Sequence, residues 1–276
     1  MNSFILDPIL RRALEEDIGT GDVTTLATIA PGTQASAELV AKEDFVLAGI
    51  DVAQRVFQLL SAETAFEKLM SDGQVVKRGD VLAWIKGDAS VLLQGERVAL
   101  NLLQRMCGVA TLTAAFTKEV ERTRAVVVDT RKTTPGLRVL EKYSVRMGGG
   151  GNHRMALYDA VLIKENHVAA AGGITNAVSR AQQRVPHTQK IEVEVRNQEE
   201  VAEALAAGAD ILLLDNMSLD ELSAAVELVG DRAITEASGG VNLESVRAIA
   251  ETGVRLISVG ALTHSYRSVD ISMLFT

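Results

Sequence analysis

Two kinds of hydrophobic pattern succeed one another along the 276 residues. Up to about residue 120 the pattern is mixed. Residues 8–16 and 51–61 carry apolar side chains at helical spacing. Residues 35–41, 45–48 and 81–85 read as short strands, the last entered from the turn Lys77-Arg78-Gly79-Asp80. A long helix is expected over residues 91–120, with Ala99, Leu100, Leu102 and Leu103 on its apolar side. Cys107 lies on that same face and reads as packing, and Trp84 reads as core. From residue 125 onward, short Val/Ile/Leu runs alternate with helical stretches. The runs fall at residues 125–128, 160–163, 190–193, 210–214, 233–235 and 255–259. Their spacing is that of βα units, and their nearly continuous apolar content is that of parallel strands buried on both faces.

The polar residues sit at the ends of these runs. The first ends in Asp129-Thr130-Arg131-Lys132 and the second in Lys164-Glu165-Asn166-His167. The third ends around Glu194, the fourth in Asp215-Asn216, the fifth in Glu236 and Ser238-Gly239-Gly240, and the sixth in Gly260. In parallel α/β folds the C-terminal strand ends meet at one mouth, where ligands bind. An α/β barrel is therefore expected, with an open doubly wound sheet as the alternative.

Composition narrows the classes. Apolar residues make up 47% and charged residues 23%, a globular balance that excludes a disordered chain or a fibre. A single cysteine excludes an internal disulfide and a clustered-cysteine zinc site, and it favours a reducing, cytoplasmic setting. The N-terminal segment lacks the basic start and cleavage pattern of a targeting peptide. No uncharged apolar run of about 18 residues suggests a membrane span. The formal charge of −8 argues against nucleic acid or an anionic membrane as partner.

Charge distribution qualifies that last inference. Residues 131–167 hold seven bases (Arg131, Lys132, Arg138, Lys142, Arg146, Arg154 and Lys164) and only three acids (Glu141, Asp159 and Glu165). An acidic protein thus concentrates positive charge on two strand ends and the loop between them, which suits a small polyanion bearing carboxylates or phosphates. Arg138, Lys142 and Arg146 fall at helical spacing and are expected to form a solvated face. Gly148 to Gly151, followed by Asn152-His153-Arg154, cost too much conformational entropy for a plain turn and point to function. Glu194 and Asp215, hard carboxylates among bases, suggest a magnesium ion shared with a phosphate ligand. Glu192 alternates with Glu194 and so shares its face, Glu194 being favoured as the one that reaches the mouth. Ser238-Gly239-Gly240 and Gly260 could offer backbone N–H groups to a phosphate. His167 reads equally well as a helix cap, His187 as surface, and His264 is ambiguous.

These motifs resemble the quinolinate phosphoribosyltransferase family. The likeness is carried by Glu16-Asp17-Ile18-Gly19, Glu96-Arg97-Val98-Ala99-Leu100-Asn101 and the run from Asp129 through Thr133-Thr134-Pro135-Gly136-Leu137-Arg138. It continues through Asn152-His153-Arg154, Leu162-Ile163-Lys164-Glu165-Asn166-His167, Glu192-Val193-Glu194, Leu214-Asp215-Asn216, Glu236-Ala237-Ser238-Gly239-Gly240 and Ser258-Val259-Gly260. Cys107, where a serine is common, and Met147 depart from the family pattern without removing a needed charge. The resemblance implies an N-terminal α/β sandwich, residues 1–107, to which the tail 265–276 returns. It implies an incomplete parallel α/β barrel of six to seven strands over residues 108–264.

The resemblance also implies a reaction. Quinolinate and 5-phosphoribosyl 1-diphosphate would give nicotinate mononucleotide, pyrophosphate and carbon dioxide, with magnesium. The implied catalytic residues are Lys132, Lys164, Glu194 and Asp215, the last two also holding the metal. The implied substrate-binding residues are Arg97, Thr130, Arg131, His153, Arg154, Ser238, Gly239, Gly240 and Gly260. Arg97 would come from the other subunit of a homodimer or larger assembly. Rival readings are a paralogue of this fold associated with molybdate transport, a barrel lyase or aldolase with a Schiff base on Lys164 or Lys132, and a non-catalytic binder of phosphorylated ligands.

Overall fold

The computed structural model describes residues 1–276. It separates into two units. One comprises Met1–Leu112, Thr134–Gly149 and Tyr266–Thr276, and the other Thr113–Thr133 and Gly150–Ser265.

The first unit begins with α1 (Ser3–Ile18) and α2 (Val23–Thr28). Strand β1 (Gln34–Ala41), β2 (Phe45–Val46), α3 (Ile50–Leu60), β3 (Ala65–Lys68), β4 (Val75–Val76) and β5 (Val81–Asp88) follow. The 32-residue helix α4 (Ala89–Val120) then leads out of this unit. Leu6, Leu10 and Leu14 recur every four residues on α1, so one stripe of that helix is buried, as are Ile50, Ala53, Val56 and Phe57 of α3. Arg55 of α3 grips Asp7 of α1 with both ends of its fork, at 2.9 and 2.6 Å.

On β5 burial alternates from Ala83 to Lys86. Leu82, Ala83 and Ile85 are buried, while Trp84 is 48% exposed between its ladder partners Glu38 and Glu67. The expectation that Trp84 is core fails because period two overrides its size. Cys107 is packing, as expected. Its Sγ lies against the Ala48 backbone, and burial pushes the thiol well above its usual range, so it is not an available nucleophile.

In α4 a stretch long and apolar enough to cross a membrane occurs, and 61% of its residues are buried inside the protein. That is the pattern of a core helix.

The remaining pieces of the first unit arrive from later in the chain. Helix α5 (Arg138–Met147, counting helices in chain order) is not the solvated face expected for its bases. Arg146 is exposed, but Lys142 is fully buried and Glu141 is 1% exposed. Glu141 accepts from Arg105 Nε and Nη2 at 3.1 and 2.7 Å and from Thr134 N at 3.0 Å. Tyr143 donates to Asp72 at 2.6 Å. These bonds place residues 134–149 with the first unit, whereas the sequence reading ran the barrel unbroken from residue 108. The last strand of the chain, β12 (Ile271–Phe275), lies antiparallel to β1 and completes the order β12-β1-β5-β3.

The second unit alternates strand and helix. Its strands are β6 (Val126–Val128), β7 (Val161–Ile163), β8 (Ile191–Val195), β9 (Ile211–Asp215), β10 (Ile234–Ser238) and β11 (Leu256–Ser258). Its helices are α6 (Glu165–Ala171), α7 (Ile174–Arg184), α8 (Gln198–Ala206), α9 (Leu219–Val229), α10 (Val246–Glu251) and α11 (Ala261–His264). All six strands pair in parallel, in the order β6-β11-β10-β9-β8-β7. Each run expected as a strand is one. However, β8 and β10 extend two or three residues further than their apolar runs, carrying Glu194, Glu236 and Ser238 inside the ladder. The Ser238–Asp215 register keeps that extension paired. Leu212, Val193 and Ile257 are fully buried, as sheets covered on both faces require.

Candidate active site

The C-terminal strand ends of the second unit surround a cavity of about 670 Å³. Thr130, Arg131 and Lys132 follow β6. Lys164 follows β7, Asp215 and Asn216 close β9, Ser238, Gly239 and Gly240 close β10, and Gly260 follows β11. All line it. His153 and Arg154 enter from the loop ahead of β7, and His264 lines it as well. Of the candidates drawn from the sequence, Glu194 and Arg97 are not among the lining residues. Glu194 lies just behind, its carboxylate paired with Lys164 at 2.5 Å. Arg97 is exposed on α4, in the first unit.

Local structure explains the placement. The chain before β7 runs beside β6, where Gly151 bridges Val128 and donates to Val127 O at 2.8 Å. A Cβ on Gly151 would sit 3.1 Å from Val128 Cγ1, so the close approach calls for glycine. Asp129, fully buried, accepts from Asn152 Nδ2 at 2.6 Å and His153 N at 2.9 Å. That pins His153 and Arg154 beside Arg131. Burial, followed by the positive charge of Arg131, draws the Arg154 pKa below its ordinary value, with Glu192 opposing. Two guanidiniums close enough to feel each other in a half-buried site suit a paired anion.

On the opposite rim, Gly239 has φ 104°, and a Cβ there would fall 2.2 Å from Asn216 Oδ1. Asn216 is the one non-glycine residue with positive φ, 55°, and its Nδ2 donates to Asp215 Oδ2 at 2.8 Å. Strained backbone of this kind concentrates at functional sites. At Gly260 a Cβ would meet Lys132 Cδ at 2.9 Å. The Thr263 hydroxyl donates to Lys132 O at 2.9 Å, holding that loop. His167 is a cap, its Nδ1 accepting from Lys164 N at 3.0 Å.

Beneath the basic layer lies an acidic one that the sequence did not reveal as a unit. His153 Nε2 is 3.0 Å from Glu192 Oε2 and 3.5 Å from Glu236 Oε1. Glu192 and Glu236 are 4% and 1% exposed, and each has an Oε1 with no hydrogen-bond partner. Burial, then the charge of Glu192, pushes the Glu236 carboxyl up to about 7, while His153 and Ser258 pull the other way. The parity of β8 was the available signal, since Glu192 and Glu194 do share a face. Glu192 meets His153, while Glu194 pairs with Lys164.

A family model for the quinolinate phosphoribosyl transferase N-terminal domain matches residues 22–107, and one for the C-terminal domain matches residues 109–274. The chain belongs to the quinolinate phosphoribosyltransferase family. It is 45% identical over 274 residues to a probable carboxylating nicotinate-nucleotide pyrophosphorylase of Bacillus subtilis, covering 99% of this chain and 94% of that one. The corresponding protein of Synechocystis is 46% identical over 272 residues, covering 98% of this chain and 92% of its own. Among solved structures, NadC from Streptococcus pyogenes superposes with a TM-score of 0.96 at 42% identity, covering 100% of this chain and 98% of that chain. Full-length correspondence of this kind places the parallel sheet and the separate antiparallel sheet within the family fold.

Proposed function

We propose that this phosphoribosyltransferase converts quinolinate and 5-phosphoribosyl 1-diphosphate to nicotinate mononucleotide, pyrophosphate and carbon dioxide, as a step in de novo NAD synthesis. The observation that carries the reading is the meeting, in one cavity, of a paired-arginine receptor and two glycine turns. Arg131 and Arg154 suit the two carboxylates of quinolinate. Gly239, Gly240 and Gly260 leave backbone N–H groups open to the 5-phosphate. Lys132 and Lys164 face the pyrophosphate. His153 stands beside the arginines with its ring turned toward the carboxylate floor.

Glu194 and Asp215 stand at neighbouring strand ends as oxygen donors of the kind magnesium takes together with phosphate oxygens, Asp215 lining the cavity and Glu194 held there by Lys164, which would have to release it to the ion. When bound there it would neutralise charge on the diphosphate. The protein's own share is positioning. The arginines hold the pyridine nitrogen toward the anomeric carbon, and the lysines stabilise the leaving diphosphate as the ribosyl centre gains oxocarbenium character. Loss of the adjacent carboxyl group follows once the ring nitrogen is quaternised. No covalent enzyme intermediate is required, which sets this reading apart from a Schiff-base lyase.

The same reading makes the protein a cytoplasmic homodimer in which Arg97, exposed on α4, completes the partner's site. Heterodimers that combine an Arg97→Ala subunit with an Arg131→Ala subunit should regain part of the activity. Inactive proven heterodimers would remove the assignment. The function itself is tested by a coupled assay for nicotinate mononucleotide with quinolinate and then with nicotinate. Only quinolinate should react, and pyrophosphate release with neither would overturn the reading.

A further inference from the structure

The parallel sheet has a second edge, opposite the mouth, where its strands begin. Arg124 stands two residues before β6, Lys190 directly before β8, Arg232 two residues before β10 and Arg255 directly before β11. Parallel strands start on the same side, so bases from four separate connections meet there. Together with Asp210 and Asp231 they line a cavity of about 620 Å³, formed wholly by the second unit. Four bases against two acids leave this cavity net positive in a chain of charge −8.

None of these four bases forms an ion pair, whereas Arg196 and Arg247 on the same unit pair with glutamates. Asp210 Oδ2 accepts instead from Ile191 N, at 2.8 Å. Carbonyl groups at helix ends would repel an anion, and two of the guanidiniums cover them. Arg232 donates to Leu228 O and, at 3.3 Å, to Val229 O at the end of α9. Arg124 donates to Gly253 O, just past α10, from Nε and Nη2 at 2.8 and 2.6 Å. These partners are neutral, so both guanidiniums are held in place with their charge uncancelled. Lys190 and Arg255 are exposed, and their side chains make no hydrogen bond. The Arg255 backbone is fixed by Thr235, a buried lining residue whose Oγ1 accepts from Arg255 N at 3.3 Å.

We propose that this cavity is a second anion site, which binds a small phosphate polyanion of the kind represented by inorganic pyrophosphate. Its volume falls in the usual range of small-molecule sites. Guanidinium and ammonium N–H groups converging from several sides match the many oxygens of such a ligand. No aromatic side chain lines the cavity, and Leu205 and Ile234 are its only large apolar residues. It therefore offers nothing on which a nucleotide base could stack, and the phosphate groups themselves are what it recognises. The inference does not depend on the reaction assigned to the mouth.

The test is calorimetric titration of inorganic pyrophosphate into the full-length protein, at low ionic strength and without divalent metal. Lys190→Ala combined with Arg255→Ala should remove one site per chain, since losing two charge-assisted partners weakens binding by about 100-fold. Both side chains are exposed and unbonded, so the variant should keep its fold, which an unchanged Tm in the absence of anion checks. Lys132→Ala combined with Lys164→Ala should leave that site intact. So should Arg11→Ala combined with Arg12→Ala, which removes equal charge from exposed positions of the first unit. A full complement of sites in the Lys190 and Arg255 variant would overturn the proposal. Binding that vanishes with the two mouth lysines would place the anion at the mouth and overturn it as well. Equal weakening in the Arg11 and Arg12 variant would do the same, because the anion would then be reading net charge alone.

Discussion

Two glutamates with the same exposure, 1%, teach what separates the two units. Glu141 in the first unit takes three hydrogen bonds from Arg105 and Thr134. Glu236 in the second keeps an oxygen with no partner and faces other acids. Half-buried groups of the first unit pair in the same way, Arg55 with Asp7 and Tyr143 with Asp72, while the buried Thr64 hydroxyl has no partner. The second unit leaves Glu192 and Glu236 each with an open oxygen at the base of the site, while Asp129 is bonded. Closed networks hold a fold, whereas open ones store charge and protons for a ligand.

The largest effect should come from breaking the closed network. Glu141→Gln leaves the Arg105 guanidinium without its counter-charge, a loss of about 3–5 kcal/mol in unfolding free energy. Glu236→Gln should cost far less, because its carboxyl already sits in an unfavourable place. The sign follows from its raised pKa. The native state holds that proton more tightly than the unfolded chain, so its contribution is full below the ordinary carboxyl range. It is lost as pH climbs toward about 7. Urea unfolding of the unaltered protein and Glu236→Gln should therefore diverge across that window, the variant losing less stability with rising pH. Parallel curves would mean that the two glutamates differ less than their neighbours suggest.

Next in size is the loss of one arginine from the receptor. Arg154→Ala should weaken quinolinate binding by about 1.5–3 kcal/mol, the range for a charge-assisted bond. Unchanged affinity by calorimetry would sink its assignment to a carboxylate. On the opposite rim, Gly239→Ala forces a Cβ onto Asn216 at a φ that side chains resist. A cost of about 1–3 kcal/mol in stability is expected. The KM for 5-phosphoribosyl 1-diphosphate should rise while quinolinate affinity holds. Equal effects on both substrates would place this turn at the centre of the site and not at its phosphate end.

Much of this was legible in the sequence because period and position carried it. Alternating runs announced the six parallel strands, and the polar residues after them announced the mouth. Thr130, Arg131, Lys132, Lys164 and Asp215 reach it as strand-end placement required, and His153 and Arg154 reach it from the loop that the glycine run marked. What stayed hidden depends on three-dimensional neighbours. The meeting of His153 with Glu192 and Glu236 joins a loop to β8 and β10, and no spacing along the chain encodes that distance. The burial of Lys142 was hidden for a related reason. Helical spacing shows which residues share a face of α5, not whether water or protein covers it.

The smallest expected effect lies where residue type misled most, at Trp84. Its neighbours Ala83 and Ile85 point inward, so the indole stands on the outer side of β5 between two glutamates. Trp84→Ala should change unfolding free energy by no more than about 0.5 kcal/mol, the range for surface positions away from buried features. It is the only tryptophan, so native fluorescence reports on this side chain alone. Emission should be red-shifted and readily quenched by acrylamide before any unfolding. A blue-shifted, protected emission would show the outer face of the first unit to be covered, and the contrast drawn between a closed interior and an open cavity would then have to include that face.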